Sequence, residues 1–203
     1  MKIDARGLRR KIERWTRDNC GWVNNRVLDV ADIWRCPAEL YDMMLEEQRA
    51  FGQAARFAFE EALHERDIVD RLRAMGLYRE SAVADDVIQA DFDGRVQGRI
   101  VGELVFDGEI VLLDIEGVDG ERFEEVKRTN RALQHRYERV QMLMEMGGWG
   151  MVVVVYKARE TGEIWPVQVW PHAATQERLV GKAREVLAAV DAGERPACEC
   201  GRH

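Results

Sequence analysis

The feature that most constrains the fold is an unbroken apolar run, Met151-Val152-Val153-Val154-Val155-Tyr156. A strand with one face in water would alternate apolar and polar residues, because successive side chains point to opposite faces of a sheet. A short apolar run bounded by turn residues is instead typical of a strand that is covered on both faces. The sequence therefore predicts a central β-sheet with helices packed against it on each side.

Helical and strand patterns follow one another around this run. Helical periodicity is found at 5–17, 36–48, 47–75, 121–146 and 173–191, and strand patterns at 87–92, 95–106, 109–115, 151–156 and 164–170. Asp107-Gly108 joins two of the strands, and this dipeptide is a strong signal for a tight hairpin. These patterns predict helices, a three-strand meander, one long helix, two strands and a final helix. We expect a helical N-terminal segment at 1–48, an α/β core at 49–193 and a cysteine-containing tail at 194–203.

Composition narrows the class of protein. A chain of 203 residues suits one domain, and 46% hydrophobic with 33% charged residues indicates a folded chain. No apolar run approaches the roughly 20 residues that cross a bilayer, and the N-terminus lacks the apolar segment of a secretion signal. The four cysteines are too few and too far apart for a secreted disulfide scaffold. We therefore expect a cytoplasmic protein with no membrane partner.

Charge is unevenly distributed along the chain. The net charge of −7 argues against a nucleic-acid binder that depends on bulk positive charge. Basic residues nevertheless cluster at 1–36 and at 127–139, and residues 103–125 between them are strongly acidic. A basic rim around an acidic centre suits a metal-dependent phosphodiesterase, although many solvated surfaces have the same composition.

Several short patterns occur in a fixed order along the chain. They are Ile33-Trp34-Arg35-Cys36-Pro37 with Leu40-Tyr41-Asp42, Gly52 with His64, Gly98-Arg99-Ile100-Val101-Gly102, Leu113-Asp114-Ile115-Glu116 and Gln141-Met142-Leu143-Met144. In that order they resemble motifs of the PD-(D/E)XK nuclease superfamily, close to its RecB-like and CRISPR-associated exonucleases. The resemblance covers almost the whole chain. It implies the restriction-endonuclease-like α/β fold, in which helices flank a central mixed β-sheet and a helical N-terminal segment packs on the core.

The resemblance also implies a site for DNA hydrolysis. In such enzymes carboxylates hold Mg²⁺ or Mn²⁺ ions that activate a water molecule. Asp114 fits the acidic position of the motif and His64 fits its histidine, whereas Val101 replaces the motif aspartate and Glu116 replaces the motif lysine. Because alternate residues of a strand share a face, Glu103 is expected beside Val101 and could supply the missing carboxylate. The candidate catalytic residues are therefore His64, Glu103, Asp114 and Glu116.

Two functions remain open on this basis. The first is a metal-dependent nuclease acting on DNA ends or single strands, in phage or prokaryotic DNA processing; the retained acids favour it. The second is a nuclease-fold protein without catalysis, which binds DNA or serves as a subunit of a larger complex; the replaced motif residues favour it.

A basic stripe on the predicted helix 121–146 is the candidate DNA contact. Its members are Arg128, Arg131, His135 and Arg139. Guanidinium groups in a row suit phosphate contacts, although such a stripe could also simply solvate an amphipathic helix.

The cysteines suggest a second metal site. In RecB-like exonucleases with an iron–sulfur cluster, one cysteine follows the N-terminal helix and three lie near the C-terminus, and Cys36, Cys198 and Cys200 are similar to that arrangement. The resemblance implies a [4Fe–4S] cluster with Cys20 as the fourth ligand, or a Cys₃His Zn²⁺ site completed by His203. Free thiols without a metal are the remaining alternative.

Overall fold

The computed structural model describes residues 27–45, 53–81, 87–89, 92 and 94–198. The predicted helix 5–17 lies outside these ranges, as do Cys20, Gly52, Cys200 and His203. The helices are α1 (Pro37–Leu45), α2 (Gln53–Ala74), α3 (Gly120–Thr129), α4 (Gln134–Gly147) and α5 (Ala173–Ala192), with a 3₁₀ turn at Val30–Asp32. The strands are β1 (Leu28–Asp29), β2 (Tyr78–Arg79), β3 (Val87–Gln89), β4 (Val96–Arg99), β5 (Gly102–Phe106), β6 (Glu109–Val118), β7 (Val152–Ala158) and β8 (Ile164–Val169).

The strands form a larger and a smaller sheet. The larger has the order β2-β5-β6-β7-β8, and the smaller has the order β1-β4-β3. In the larger sheet only β6 and β7 pair in parallel, which makes it the mixed sheet that the sequence predicts. The apolar run at 151–156 falls almost wholly within β7, whose residues are all buried except Lys157.

Helices cover both faces of this sheet. On one face, helix residues such as Phe123, Met142 and Leu179 belong to the core cluster that includes Leu112 and Tyr156. On the other face, Ile68 and Val69 of α2 pack with Leu113, Ile115 and Val155. The predicted α/β class is thus confirmed. No helix in the described part of the chain is both long and apolar enough to pass through a bilayer.

The hairpin between β5 and β6 has the predicted turn. Phe106 pairs with Glu109, so Asp107 and Gly108 are its two turn residues. Both have positive φ, 50° and 82°, as the tight two-residue turn that matches strand twist requires.

The predicted strand 95–106 and the three-strand meander are wrong. The segment is divided between β4 in the smaller sheet and β5 in the larger sheet. The chain changes direction at Gly102, which has φ 151° and lies against the ring of Tyr78. The Tyr78 hydroxyl also donates to the carbonyl of Val101, 3.0 Å away. Glycine accommodates this backbone conformation and leaves room for the ring.

The predicted single helix 121–146 is also wrong, because it is divided into α3 and α4. Asn130 ends α3 in the left-handed conformation (φ 50°, ψ 40°), and its backbone N–H donates to the carbonyl of Val126. Asparagine tolerates this conformation better than most residues. The backbone N–H of Leu133 then donates to the Tyr156 hydroxyl, 3.0 Å away, before α4 begins.

Candidate functional site

The acids of β6 point into the protein. Asp114 and Glu116 are two residues apart on one strand and therefore share a face. Their exposed fractions are 1% and 7%, so neither belongs to a solvated surface. Burying two carboxylates is costly unless cations accompany them.

The guanidinium of Arg136 supplies that positive charge. It comes from the first turn of α4, and Arg136 is 8% exposed. Its Nη2 lies 2.7 Å from Oε1 of Glu61, its Nε lies 3.0 Å from Oε2 of Glu116, and its Nη1 lies 3.4 Å from both oxygens of Asp114. Glu61 belongs to α2, so this single side chain links two helices to the central strand. We refer to Glu61, Asp114, Glu116 and Arg136 as the ionic cluster.

Two further side chains of α4 complete the electrostatics. His135 Nε2 lies 2.7 Å from Oε1 of Glu116. Arg139, one helical turn later, has Nη2 3.5 Å from Oδ1 of Asp114 and donates to the carbonyl of Arg99 at 2.8 Å. Arg159 Nη2 also lies 3.7 Å from Oε2 of Glu61, so the three carboxylates are accompanied by three guanidinium groups and an imidazole.

Comparison with known proteins shows what this arrangement is similar to. The sequence matches no protein-family model, and no curated protein is significantly similar to it. Among solved structures, an alkaline exonuclease from Laribacter hongkongensis aligns with TM-score 0.62 at 13% identity, over 83% of this chain and 89% of that chain. The same exonuclease in complex with dAMP gives 0.61 at 14% identity, over 84% and 90%. A phage-related exonuclease from Haemophilus somnus 129PT gives 0.52 at 10%, over 82% and 92%.

These exonucleases are PD-(D/E)XK proteins. The chain has the PD-(D/E)XK nuclease fold. At these identities the likeness establishes architecture, and the properties of the site must come from the residues of this chain.

Within this nuclease fold, the environment sets distinct protonation preferences in the cluster. Burial raises the pKa of Glu61, and the nearby Arg136 guanidinium offsets only part of that effect. Burial also acts to raise the pKa of Glu116, but the hydrogen bond from His135 and the charge of Arg136 outweigh it, so that pKa is lowered. Burial, followed by the charge of Glu116, raises the pKa of Tyr156 on the adjacent strand. Glu116 is therefore held ionised and Tyr156 neutral.

A divalent ion does not fit this cluster as it stands. The resemblance implies Mg²⁺ or Mn²⁺ among the acids of the nuclease fold, but Arg136 already engages the oxygens of Glu61, Asp114 and Glu116. Among the described residues, no three aspartate, glutamate, histidine or cysteine side chains are arranged to hold a metal ion. The guanidinium thus supplies the positive charge that a metal ion would supply.

Two expected site residues, Glu103 and His64, are not among the ion-pair partners of Arg136 in the described part of the chain. Glu103 is 6% exposed, and its Oε2 accepts from Nε of Arg79 at 2.6 Å, directly across the β2–β5 ladder. Val101 packs in the core cluster under α2 that contains Ile68 and Leu113. The prediction that Val101 and Glu103 share a face is therefore wrong, because the alternation of side chains is interrupted at Gly102. His64 places its ring beside Gly117, where an added Cβ would lie 2.5 Å from the His64 Cδ2.

The predicted basic stripe is divided in the same way as its helix. His135 and Arg139 face the acids of the ionic cluster, whereas Arg128 in α3 and Arg131 in the following connection are exposed. The break at Asn130 separates the two pairs. Arg128 and Arg131 are thus exposed, whereas His135 and Arg139 are only partly exposed.

Glu61 and Arg136 were not among the predicted site residues. Arg136 follows apolar Leu133 by three positions and precedes Val140 by four, so it lies on the apolar side of the helix. A charged residue on an apolar stripe is a signal for a buried ion pair. Glu61 precedes His64 by one helical turn, and nothing in its local pattern marks it.

The described cysteines meet at a separate location. Cys36, immediately before α1, and Cys198, in the tail after α5, have sulfur atoms 3.8 Å apart. Of the five residues predicted to bind a second metal, these two are described and lie together. The other three, Cys20, Cys200 and His203, fall outside the described residues.

Proposed function

We propose that this chain is a DNA-binding protein that retains the nuclease fold without phosphodiester hydrolysis. The observation that carries the proposal is the buried guanidinium of Arg136 among Glu61, Asp114 and Glu116. Catalysis in the family needs carboxylate oxygens that are free to hold a metal ion. Here the carboxylate oxygens are neutralised from within the chain.

The free-energy cost of removing Arg136 supports the proposal that its guanidinium permanently takes the place of a metal ion. Breaking a buried ion pair by removing one partner typically costs about 3–5 kcal/mol. Withdrawing Arg136 would remove the nearest cation of Glu61 and a charge partner of Asp114 and Glu116, two carboxylates that are more than nine-tenths buried. A metal ion would have to supply at least that free energy before any water could be activated.

Exposed cations support DNA as the partner. Arg128 and Arg131 are exposed, and neither forms an ion pair with any other described residue. They precede the first turn of α4, which holds His135 and Arg136. Phosphate contacts from arginine supply affinity without sequence preference. The dAMP complex of the Laribacter exonuclease is a nucleotide complex on the same fold.

An exposed aromatic side chain favours single strands or ends over an intact duplex. Trp34 is 38% exposed, and its ring lies 6.2 Å from that of His135 in an edge-on arrangement. The guanidinium of Arg35 lies 4.8 Å from the centre of the Trp34 ring. Stacking of a base on an aromatic ring contributes about 1–3 kcal/mol, and it requires an unpaired base. A subunit role in a DNA-processing complex is compatible with this binding.

The test combines binding and cleavage on end-labelled single- and double-stranded DNA. We expect the full chain to bind single strands more tightly, with affinity that falls as salt rises. Arg128→Ala together with Arg131→Ala should weaken binding and reduce the salt slope by about 1 per lost phosphate contact. Arg66→Ala, at an exposed arginine of α2, is the matched control and should bind like the wild type. Absence of DNA binding at low salt would remove this function.

A metal-dependent nuclease is the second candidate, favoured by the convergence of Glu61, Asp114 and Glu116 on one point. It requires Mg²⁺ or Mn²⁺ to displace Arg136. Cleavage in Mn²⁺ by the wild type, abolished in Asp114→Ala, would establish this candidate and overturn the non-catalytic proposal. We expect no cleavage from either protein.

A further inference from the structure

The backbone that carries the exposed ring of Trp34 is held on both sides by one ammonium group. Nζ of Lys182, on α5, donates to the carbonyl of Ile33 at 2.8 Å and to the carbonyl of Arg35 at 3.0 Å. Ile33 and Arg35 are the residues that flank Trp34 in sequence. Hydrogen bonds from a charged donor are stronger than those between neutral groups. The short segment 33–35 is therefore fixed to a helix that is distant in sequence.

Lys182 is itself held in place. Its side chain is 13% exposed, and its Nζ lies 4.0 Å from Oε2 of Glu138, which is 6% exposed. Oε1 of Glu138 accepts from Nη2 of Arg178 at 2.8 Å and from Nε2 of Gln134 at 2.6 Å. Burial lowers the pKa of Lys182, and the charge of Glu138 opposes that effect. Because burial of an ammonium is costly, its position between two carbonyls and a carboxylate is a specific one.

The ring of Trp34 is oriented by two neighbours and lies next to the ionic cluster. The guanidinium of Arg35 lies 4.8 Å from the ring centre, and Nε of Arg35 lies 2.8 Å from Oδ1 of Asp32. The His135 ring meets the indole edge-on at 6.2 Å, and its Nε2 lies 2.7 Å from Oε1 of Glu116. Trp34 nevertheless remains 38% exposed. It is thus an accessible aromatic surface separated from the ionic cluster by one side chain.

We propose that Lys182 is a positioning residue for DNA binding, which fixes Trp34 so that one unpaired base stacks on the indole ring beside the ionic cluster. This inference rests on the proposed function. An aromatic surface that is fixed before binding loses less conformational freedom when a base stacks on it. Because Lys182 directs its donors to the carbonyls of Ile33 and Arg35, its contribution to DNA affinity should depend on the base and not on a phosphate contact.

The first test compares binding of a single-stranded oligonucleotide with binding of an abasic strand of the same length, which keeps the phosphates but has no bases. Trp34→Ala should weaken binding of the normal strand by about 5- to 150-fold, the loss expected for one stacked base. It should leave binding of the abasic strand unchanged. Lys182→Met should weaken binding of the normal strand by no more than Trp34→Ala does, with the same salt slope as the wild type. The double variant should bind like Trp34→Ala alone, because both substitutions remove the same contact.

Two control variants separate position from charge. Lys182→Arg keeps a cationic donor and should recover most of the affinity. Arg184→Met removes a positive charge from an exposed position of the same helix and should bind both strands like the wild type.

The outcomes distinguish this inference from the function on which it rests. Wild-type affinity in Lys182→Met or in Trp34→Ala would overturn the positioning role and leave DNA binding intact. An equal loss on the normal and the abasic strand would also overturn it, because general loss of structure has that effect. If the wild type binds neither strand at low salt, the proposed function fails and the positioning role fails with it.

Photocrosslinking provides a measurement that does not require Lys182→Met to fold. A single strand that carries 5-iodouracil is bound to the wild-type chain and irradiated, and the crosslinked peptide is identified by mass spectrometry. We expect the crosslink on the peptide that contains Trp34. Lys182→Gln, which keeps an amide donor but loses the charge and some length, should reduce the yield at saturating DNA. Crosslinks confined to peptides without Trp34, or an unchanged yield in Lys182→Gln, would contradict the proposal.

Discussion

Nε of Arg136 lies 3.0 Å from Oε2 of Glu116, and both residues are more than nine-tenths buried. Arg136 also engages Glu61 of α2 and Asp114 of β6, so one cation serves three acids from two elements. This relationship is the basis of the proposal that the nuclease fold of this chain does not hydrolyse DNA. It also gives the most direct tests of the arrangement.

Replacing Arg136 with methionine should destabilise the protein and create affinity for divalent ions. Methionine keeps much of the side-chain length but removes the cation that three acids share, at an expected cost of about 3–5 kcal/mol in unfolding free energy. Because Mn²⁺ would bind the folded variant and not the unfolded chain, it should restore part of the melting temperature. Thermal unfolding with and without Mn²⁺ measures both effects.

Arg128→Met is the matched control for this experiment, since Arg128 is exposed. It should change stability by no more than about 0.5 kcal/mol and show no response to Mn²⁺. An Arg136→Met protein as stable as the wild type would mean that the guanidinium does not neutralise the cluster.

The two glutamates of the ionic cluster should respond to acid in opposite directions. The pKa of Glu116 is lowered from 4.5, so Glu116 contributes stability that is present above about pH 4.5 and lost as the pH falls through its folded pKa. The pKa of Glu61 is raised from 4.5, so its ionisation reduces stability as the pH rises through its folded pKa. The loss of unfolding free energy caused by Glu116→Gln should therefore shrink on acidification, and the loss caused by Glu61→Gln should grow. Denaturant unfolding between about pH 3 and pH 7 tests this, and parallel curves for the two variants would refute it.

A methyl group at Gly117 should disturb the packing of α2 on β6. The added Cβ would lie 2.5 Å from the His64 ring, so Gly117→Ala should cost about 1–3 kcal/mol by overpacking. His64→Ala in the same chain should relieve most of that cost. Gly181→Ala, in α5 with nothing within 4 Å of the new Cβ, should instead stabilise by about 0.5–1 kcal/mol. Equilibrium unfolding of these three variants and of His64→Ala alone checks this, and additive effects at positions 64 and 117 would argue against the contact.

The break between α3 and α4 depends on Asn130. Its φ of 50° is unfavourable for alanine, and its side-chain oxygen accepts from Nε1 of Trp165 at 3.2 Å. Asn130→Ala should lose about 1–2 kcal/mol, whereas Asn130→Gly keeps the backbone conformation and should lose less. Chemical denaturation gives both values. A glycine variant less stable than the alanine variant would show that backbone conformation is not what Asn130 provides.

The elements that the sequence predicted correctly are those with strong local signals. The apolar run of β7, the Asp107-Gly108 turn and α5 each depend on neighbours within a few residues. The two errors share a cause. At Gly102 and Asn130 the backbone changes direction while the residue pattern continues, so Val126, Leu133 and Val140 keep a helical interval across a break that periodicity does not detect.

The candidate site was less accessible to sequence reasoning. Asp114 and Glu116 could be placed on one face because strand alternation is local. Their counter-ion, Arg136, could not be identified in this way, because its partners come from β6 and from Glu61, 75 residues away in sequence. The position of Arg136 on an apolar stripe indicates a buried ion pair, but only the tertiary fold identifies the acids.

The parallel pairing of β6 with β7 bears on how the molecule assembles. Parallel neighbours cannot be joined by a hairpin, so the chain between them must cross one face of the sheet. Here that crossover consists of α3 and α4, and α4 carries Arg136 and His135. The docking that brings β7 beside β6 therefore also brings the guanidinium to its acids. We therefore expect the central ladder and the charge balance at its centre to be completed in one non-local folding step; such steps are slow because loop closure precedes the contacts that reward it.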